Sequence, residues 1–135
     1  INRREGELMS ERVPLADSEW RLMQIIWEKA PCTFRQICDA ACKPYSWTKY
    51  VVVSYLKRME AKGAIRVKDA KPVKLYYPLL DREEAICTET EDVLDRVYNG
   101  DFLLMVQSAA RARGLSEKEI SELEQLLRTG REKNE

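Results

Sequence analysis

Apolar positions in the first 80 residues switch between a helical and a strand-like period. In EWRLMQIIWEK, Trp20, Met23 and Trp27 share one stripe with Leu22 and Ile26 beside it, a spacing of three and four that predicts a helix. Asp17-Ser18 is its expected cap and Pro31 its stop. Thr33 is the expected cap of a second helix, FRQICDAAC, which sets Phe34, Ile37, Cys38 and Ala41 on one face and ends before Lys43-Pro44. The next stretch, YSWTKYVVVSYLKRMEAKG, carries two signals at once. Val51-Val52-Val53 is β-branched, while Lys57, Arg58 and Lys62 recur at helical spacing. Length and ends decide in favour of a helix: Ser46 suits an N-cap, Gly63 suits the residue after a helix, and the span between them is far longer than an average strand. Beyond Gly63, AIRVK and VKLYYPL are β-rich runs separated by DAKP, which predicts a hairpin.

From Asp81 onward only helix signals recur. Asp81 and Glu84 open a helix that reaches Tyr98, and Asn99-Gly100 break it. Asp101 then opens FLLMVQSAARAR, which Gly114 ends. Ser116 and Glu119 form a capping-box pattern flanked by Leu115 and Ile120, with Ile120, Leu123 and Leu127 on one face and Leu126 beside it. Val93, Leu94, Val97, Phe102, Leu103, Leu104, Met105, Val106, Ile120, Leu123 and Leu127 are more apolar side chains than so small a unit can enclose. A second copy of the chain is expected to cover them; the alternative is packing on the N-terminal region as one monomeric core.

The expected fold is therefore mostly α with a small β-hairpin (α+β): a winged helix-turn-helix followed by a helical dimerisation region. Its expected divisions are a flexible segment at 1–14 with Met9 a candidate start, a winged-helix domain at 15–80, a helical dimerisation domain at 81–130 and a disordered tail at 131–135.

Charge separates the two halves. The 135 residues hold 23 basic and 23 acidic side chains, but residues 1–80 carry 15 basic against 9 acidic and residues 81–135 carry 8 against 14, a net +6 against −6. Between Lys43 and Lys74 nine basic residues face only Glu60 and Asp69, which points to a polyanion. In a winged helix the third helix enters the major groove and the wing reaches the neighbouring backbone, so the basic excess lies where double-stranded DNA would. An enzyme is not indicated: the chain has no His, and its five glycines form no phosphate loop. Cys32, Cys38, Cys42 and Cys87 make no CxxC pair, so neither metal nor cofactor is expected, and packing is favoured over sensing for Cys38 and Cys42. No run approaches the length of a membrane span, and the chain is expected to be cytoplasmic.

LADSEWRLMQIIWEK resembles the opening signature of the penicillinase-repressor family (BlaI/MecI/CopY type). WTKYVVVSYLKRMEAKGAI is similar to its third helix, with Trp47, Leu56, Arg58, Lys62 and Gly63 on pattern; YYPLLDREEA and VLDRVYNGDFLLMV continue the likeness to about Leu127. The resemblance implies a dimeric bacterial transcriptional repressor that binds an operator and blocks promoter access, with an upstream sensor or protease pathway as a further partner. There are departures. The family's small hydroxyl and basic residues are replaced by Val51 and Val53, and Ser108-Ala109 stands where the β-lactam-responsive branch has its cleaved Asn-Phe bond. No cysteine follows Cys87, so the paired Cys-x-Cys motif of the copper-responsive branch is absent.

If the third helix buries Val52, Leu56 and Met59, a rotation of about 100° per residue turns Trp47, Tyr50, Val51, Ser54, Lys57 and Arg58 toward DNA, with Thr48 and Lys49 near the tip and Val53 close by. Lys57 and Arg58 suit phosphate or guanine, Thr48 and Ser54 phosphate or base edges, and Val51 and Val53 thymine methyl groups. Lys68, Lys71 and Lys74 on the wing are expected phosphate contacts. The remaining alternative is a winged-helix module that binds protein instead of DNA.

Overall fold

The computed structural model describes residues 13–134. In chain order the elements are α1 (Asp17–Lys29), β1 (Cys32–Thr33), α2 (Phe34–Tyr45), α3 (Lys49–Ala61), β2 (Ile65–Ala70), β3 (Val73–Pro78), α4 (Arg82–Tyr98), α5 (Phe102–Arg113) and α6 (Glu117–Asn134). Three helices, a hairpin and three further helices are the fold class expected from the sequence. The chain divides into two compact units, one through Thr88 and one from Glu89.

In the first unit α1 is capped one residue ahead of the expected Asp17-Ser18, so Asp17 is already helical. Ala16 is the N-cap, and since alanine offers no acceptor, Glu19 reaches back so that its Oε1 accepts the Ala16 N–H at 2.8 Å. Leu22, Met23 and Ile26 are fully buried. Trp20 and Trp27 are only half-buried at the margin of that stripe, with ring centroids 5.9 Å apart, and the Trp27 indole N–H donates to the Leu80 carbonyl at 2.9 Å. Trp27 thus keeps its polar tip paired at the core edge, whereas the buried Trp20 indole N–H has no hydrogen-bond partner among the described residues.

Thr33 caps α2 as expected: its hydroxyl accepts the Gln36 N–H at 3.2 Å, and Gln36 Oε1 accepts the Thr33 N–H at 2.8 Å. The helix does not stop before Lys43-Pro44 but runs to Tyr45 with Pro44 in its final turn. There the proline deprives the helix of a single terminal hydrogen bond, a smaller loss than in the interior. The chain then reverses at Ser46, which lies in the left-handed region (φ 56°), and the Trp47 N–H donates to the Cys42 carbonyl at 2.9 Å. Ser46 thus ends α2 and does not start α3. Thr48 does that, its hydroxyl accepting the Val51 N–H at 3.2 Å.

The strand pairing also tightens the sequence reading. Ala70 pairs with Val73, so only Lys71-Pro72 form the turn, and Asp69 and Ala70 belong to β2. β1, which the sequence reading lacks, pairs with β3 through Cys32↔Tyr76 and Thr33↔Leu75, giving an antiparallel sheet of order β1-β3-β2. Val52, Leu56 and Met59 of α3 are buried with Ile37, Ala41, Ala64, Ile65 and Tyr76. Each large side chain removed from water here stabilises by roughly 1.5–3 kcal/mol, which fixes α3 against α1, α2 and the sheet. Of the segment expected to be flexible, residues 1–12 lie outside the described residues, while Val13 packs against the core and the Pro14 carbonyl accepts from Lys62 Nζ at 2.8 Å.

The later helix starts follow the sequence closely. Asp81 accepts the Glu84 N–H at 3.1 Å, and Asp101 accepts the Leu104 N–H at 3.0 Å. Asn99 (φ 52°) and Gly100 (φ 81°) supply the left-handed break between α4 and α5. Ser116 and Glu119 exchange the two bonds of a capping box at 3.0 and 3.1 Å. α6 continues through Gly130 to Asn134, beyond the point where the sequence suggests order ends.

Candidate nucleic-acid interface

The outward face of α3 is set by what its inward face buries. With Val52, Leu56 and Met59 in the core, Tyr50, Val53, Ser54 and Lys57 fall at i, i+3, i+4 and i+7 on the opposite side, all exposed, Tyr50 at 87%. Lys49 is exposed beside them at the helix start. An aromatic hydroxyl, an apolar methyl pair, a small hydroxyl and a cation on one helical row can donate to, accept from and pack on base edges.

Four other expected members are differently engaged. Trp47 lies half-buried ahead of the helix with its ring 4.9 Å from that of Tyr45 and 5.2 Å, edge-on, from that of Tyr55. Thr48 is exposed, but its hydroxyl oxygen caps α3. Val51 is half-buried on the flank. Arg58 points toward α1, where its Nε donates to Glu19 Oε2 at 2.9 Å and its guanidinium lies 5.1 Å from the Tyr55 ring centre. Rotation about the helix axis turns Arg58 outward, and the buried Glu19 carboxylate on α1 draws its side chain aside.

Cross-strand pairing sorts the wing cations. Lys68 pairs with Leu75 on the outer face, whose neighbouring pair Arg66 and Tyr77 stack at 5.3 Å, whereas Lys74 pairs with Asp69 on the face shared with Val67 and Tyr76. Lys71 sits at the turn, and all three lysines are exposed. Between this inner face, α3 and the start of α2 lies a groove of about 530 Å³. Phe34, Leu56, Val67 and Tyr76 are among its apolar lining, and Arg35, Lys57, Lys74 and Glu60 are its charged side chains. Arg35 is missing from the sequence-based set because it precedes the basic stretch; its position on the exposed side of α2, next to the buried Ile37–Cys38 pair, is the signal that marks it.

Cys32 and Cys38 are buried, Cys42 is half-buried and Cys87 is exposed, all as free thiols. Burial, with Cys42 beside it, pushes the Cys38 thiol up to about 11, which keeps it protonated and a poor nucleophile. No group of three or more metal-ligating side chains occurs among the described residues, and none of their helices is long and apolar enough to cross a membrane.

In the second unit no described residue up to 130 is buried. Val97, Phe102, Leu103, Leu104, Ile120 and Leu127 are exposed by 54, 52, 64, 40, 42 and 52%, and Leu126 by 65%; Val93, Leu94, Met105, Val106 and Leu123 are half-buried. All the residues expected at the dimer contact thus retain accessible apolar surface in the single chain.

Residues 15–129 match the family described as Penicillinase repressor. The penicillinase repressor of Bacillus licheniformis is 28% identical over 118 residues, covering 87% of this chain and 92% of that protein. The methicillin resistance regulatory protein MecI of Mammaliicoccus sciuri is 26% identical over 113 residues, covering 84% and 92%. The solution structure of the DNA binding domain of the repressor BlaI shares the fold, with a TM-score of 0.50 at 23% identity, covering 54% of this chain and 90% of that one.

Proposed function

The chain belongs to the penicillinase repressor family, and from that premise we propose that it is a DNA-binding transcriptional repressor. It acts as a homodimer, reads an inverted-repeat operator and denies a promoter to polymerase. One observation carries the reading: the solvent face of α3 is a continuous row of Tyr50, Val53, Ser54 and Lys57, flanked by the exposed wing cations Lys68, Lys71 and Lys74. The row supplies base contacts, and the wing supplies phosphate contacts that place the row in register. Lys49 and Arg35 extend the cationic border, while Thr48 and Trp47 shape the start of the reading helix.

The exposed apolar faces of α4, α5 and α6 support homodimerisation, because a monomer in water would leave Phe102, Leu103 and Leu126 among its solvent-facing side chains. Repression by occupancy is steric and uses no catalytic residue. A sensor or protease pathway acting at Ser108-Ala109 would have to open α5, since that bond lies in the middle of the helix.

A salt titration of duplex binding tests the proposal. Several phosphate contacts require affinity to fall steeply and log-linearly with salt. Absent or salt-independent binding would instead identify a protein-interaction module.

A further inference from the structure

Glu19 lies outside the proposed reading surface, yet it is the buried charged side chain among the described residues, with no solvent exposure. Both carboxylate oxygens are occupied. Oε1 accepts from the Ala16 N–H at 2.8 Å and from Lys62 Nζ at 2.7 Å, and Oε2 accepts from Arg58 Nε at 2.9 Å. Arg58 and Lys62 stand four residues apart at the C-terminal end of α3 and its cap, so one carboxylate on the first turn of α1 grips two consecutive turns at that end. From Arg58 the contacts continue to the Tyr55 ring and from it to Trp47, next to the cap at Thr48. Those contacts lie within α3 and its start; the link from that end to α1 is the Trp47 ring against Tyr45, over which the Arg21 guanidinium of α1 lies at 4.5 Å.

Apolar packing of Val52, Leu56 and Met59 decides which side of α3 faces inward, but it is non-directional. Two charge-assisted hydrogen bonds to a fixed carboxylate are directional. A helix turns about 100° per residue, so a modest roll of α3 would carry Val53 or Ser54 off its base edge while leaving the core buried. Arg58 and Lys62 are also the cations that would otherwise join Lys57 at phosphates without regard to sequence.

Resting on the repressor reading, we infer that Glu19 is a positioning residue for operator recognition: by holding Arg58 and Lys62 it fixes the roll of α3 and withholds both cations from the DNA backbone.

The test begins with duplexes selected from a random pool by the wild-type chain, followed by affinities of wild type and Glu19→Gln for the selected duplex and a scrambled one across a salt series. Gln keeps the size and one acceptor but not the charge. At a temperature where circular dichroism shows both proteins folded, the selected-to-scrambled ratio of Glu19→Gln is expected to fall about ten-fold, the loss of roughly one base contact. Its salt slope on scrambled DNA should steepen by about one to two as freed cations reach phosphates. An unchanged ratio and slope, with only a lower melting temperature, would overturn the inference and leave a plain structural ion pair. If Glu19→Gln does not fold, Lys62→Gln decides: it leaves the Arg58 bond in place, a reduced ratio supports positioning, and an unchanged ratio overturns it. Failure of the wild-type chain to select any duplex would remove the repressor reading itself, a result distinct from either outcome above.

Discussion

Glu19 is held charged in a site where burial alone would raise its pKa. That effect is outweighed by hydrogen bonds from the Ala16 N–H, Lys62 and Arg58, which hold the carboxyl below its ordinary value of 4.5. A folded-state pKa below the unfolded one contributes stability that is present above pH 4.5 and is lost as pH falls through the folded value. Urea unfolding should accordingly show Glu19→Ala destabilised at pH 7 by about 3 kcal/mol, the low end for breaking a buried pair, because Arg58 and Lys62 are partly exposed and can rehydrate. That deficit should shrink progressively below pH 4.5; a deficit equal at pH 7 and pH 3 would contradict the assignment. The same scale accounts for the thiols. Brief alkylation of the native protein at pH 7 should label Cys87 and spare Cys32 and Cys38, with all of them labelled after denaturation. Fast native labelling of Cys38 would restore a thiol-sensing role. From the sequence, Cys38 can be assigned to packing by residue type, but nothing local singles out Glu19, since its partners lie 39 and 43 positions away.

Most of the elements were legible because their signals are local: caps at Thr33, Asp101 and Ser116, a break at Asn99-Gly100, and a valine run overruled by length. The errors cluster where one residue could serve two neighbours. Ser46 suits an N-cap by type, yet the turn after α2 needs a left-handed residue, and that requirement wins. Ser46→Gly should therefore stabilise, or at worst leave unchanged, by up to about 1 kcal/mol, since glycine adopts this region without a Cβ penalty. Clear destabilisation in thermal melts would return Ser46 to a capping role. β1 escaped detection because two residues carry no period, and its existence depends on a partner strand more than forty positions away. On the wing, Lys71→Ala should weaken all duplexes alike and reduce the salt slope by about one. A loss confined to the selected sequence would place Lys71 at a base instead.

At the scale of the whole molecule, charge and apolar surface are divided between the units. The basic excess belongs to the winged helix, and exposed Val97, Phe102, Leu103, Leu104, Ile120, Leu126 and Leu127 belong to the helices that follow. The proposed dimer would double the contacts by linking two reading helices while covering the second unit's apolar faces. Leu103→Glu, which sets a charge on a side chain 64% exposed in the single chain, should shift sedimentation toward monomer and weaken operator binding by more than ten-fold, with helix content retained. The apolar excess and the inward face of α3 are both readable from the sequence, whereas the grip of Glu19 on Arg58 and Lys62 needs α1 and α3 side by side in three dimensions.

On the proposed function, two copies of α3 read a symmetric site. Hydroxyl-radical footprinting on a duplex selected by the intact chain addresses it directly. The expected result is two protected half-sites in an inverted repeat, with centres separated by a multiple of about 10 base pairs. Recovery of no preferred duplex, or protection of a single asymmetric site by a monomer, would contradict it.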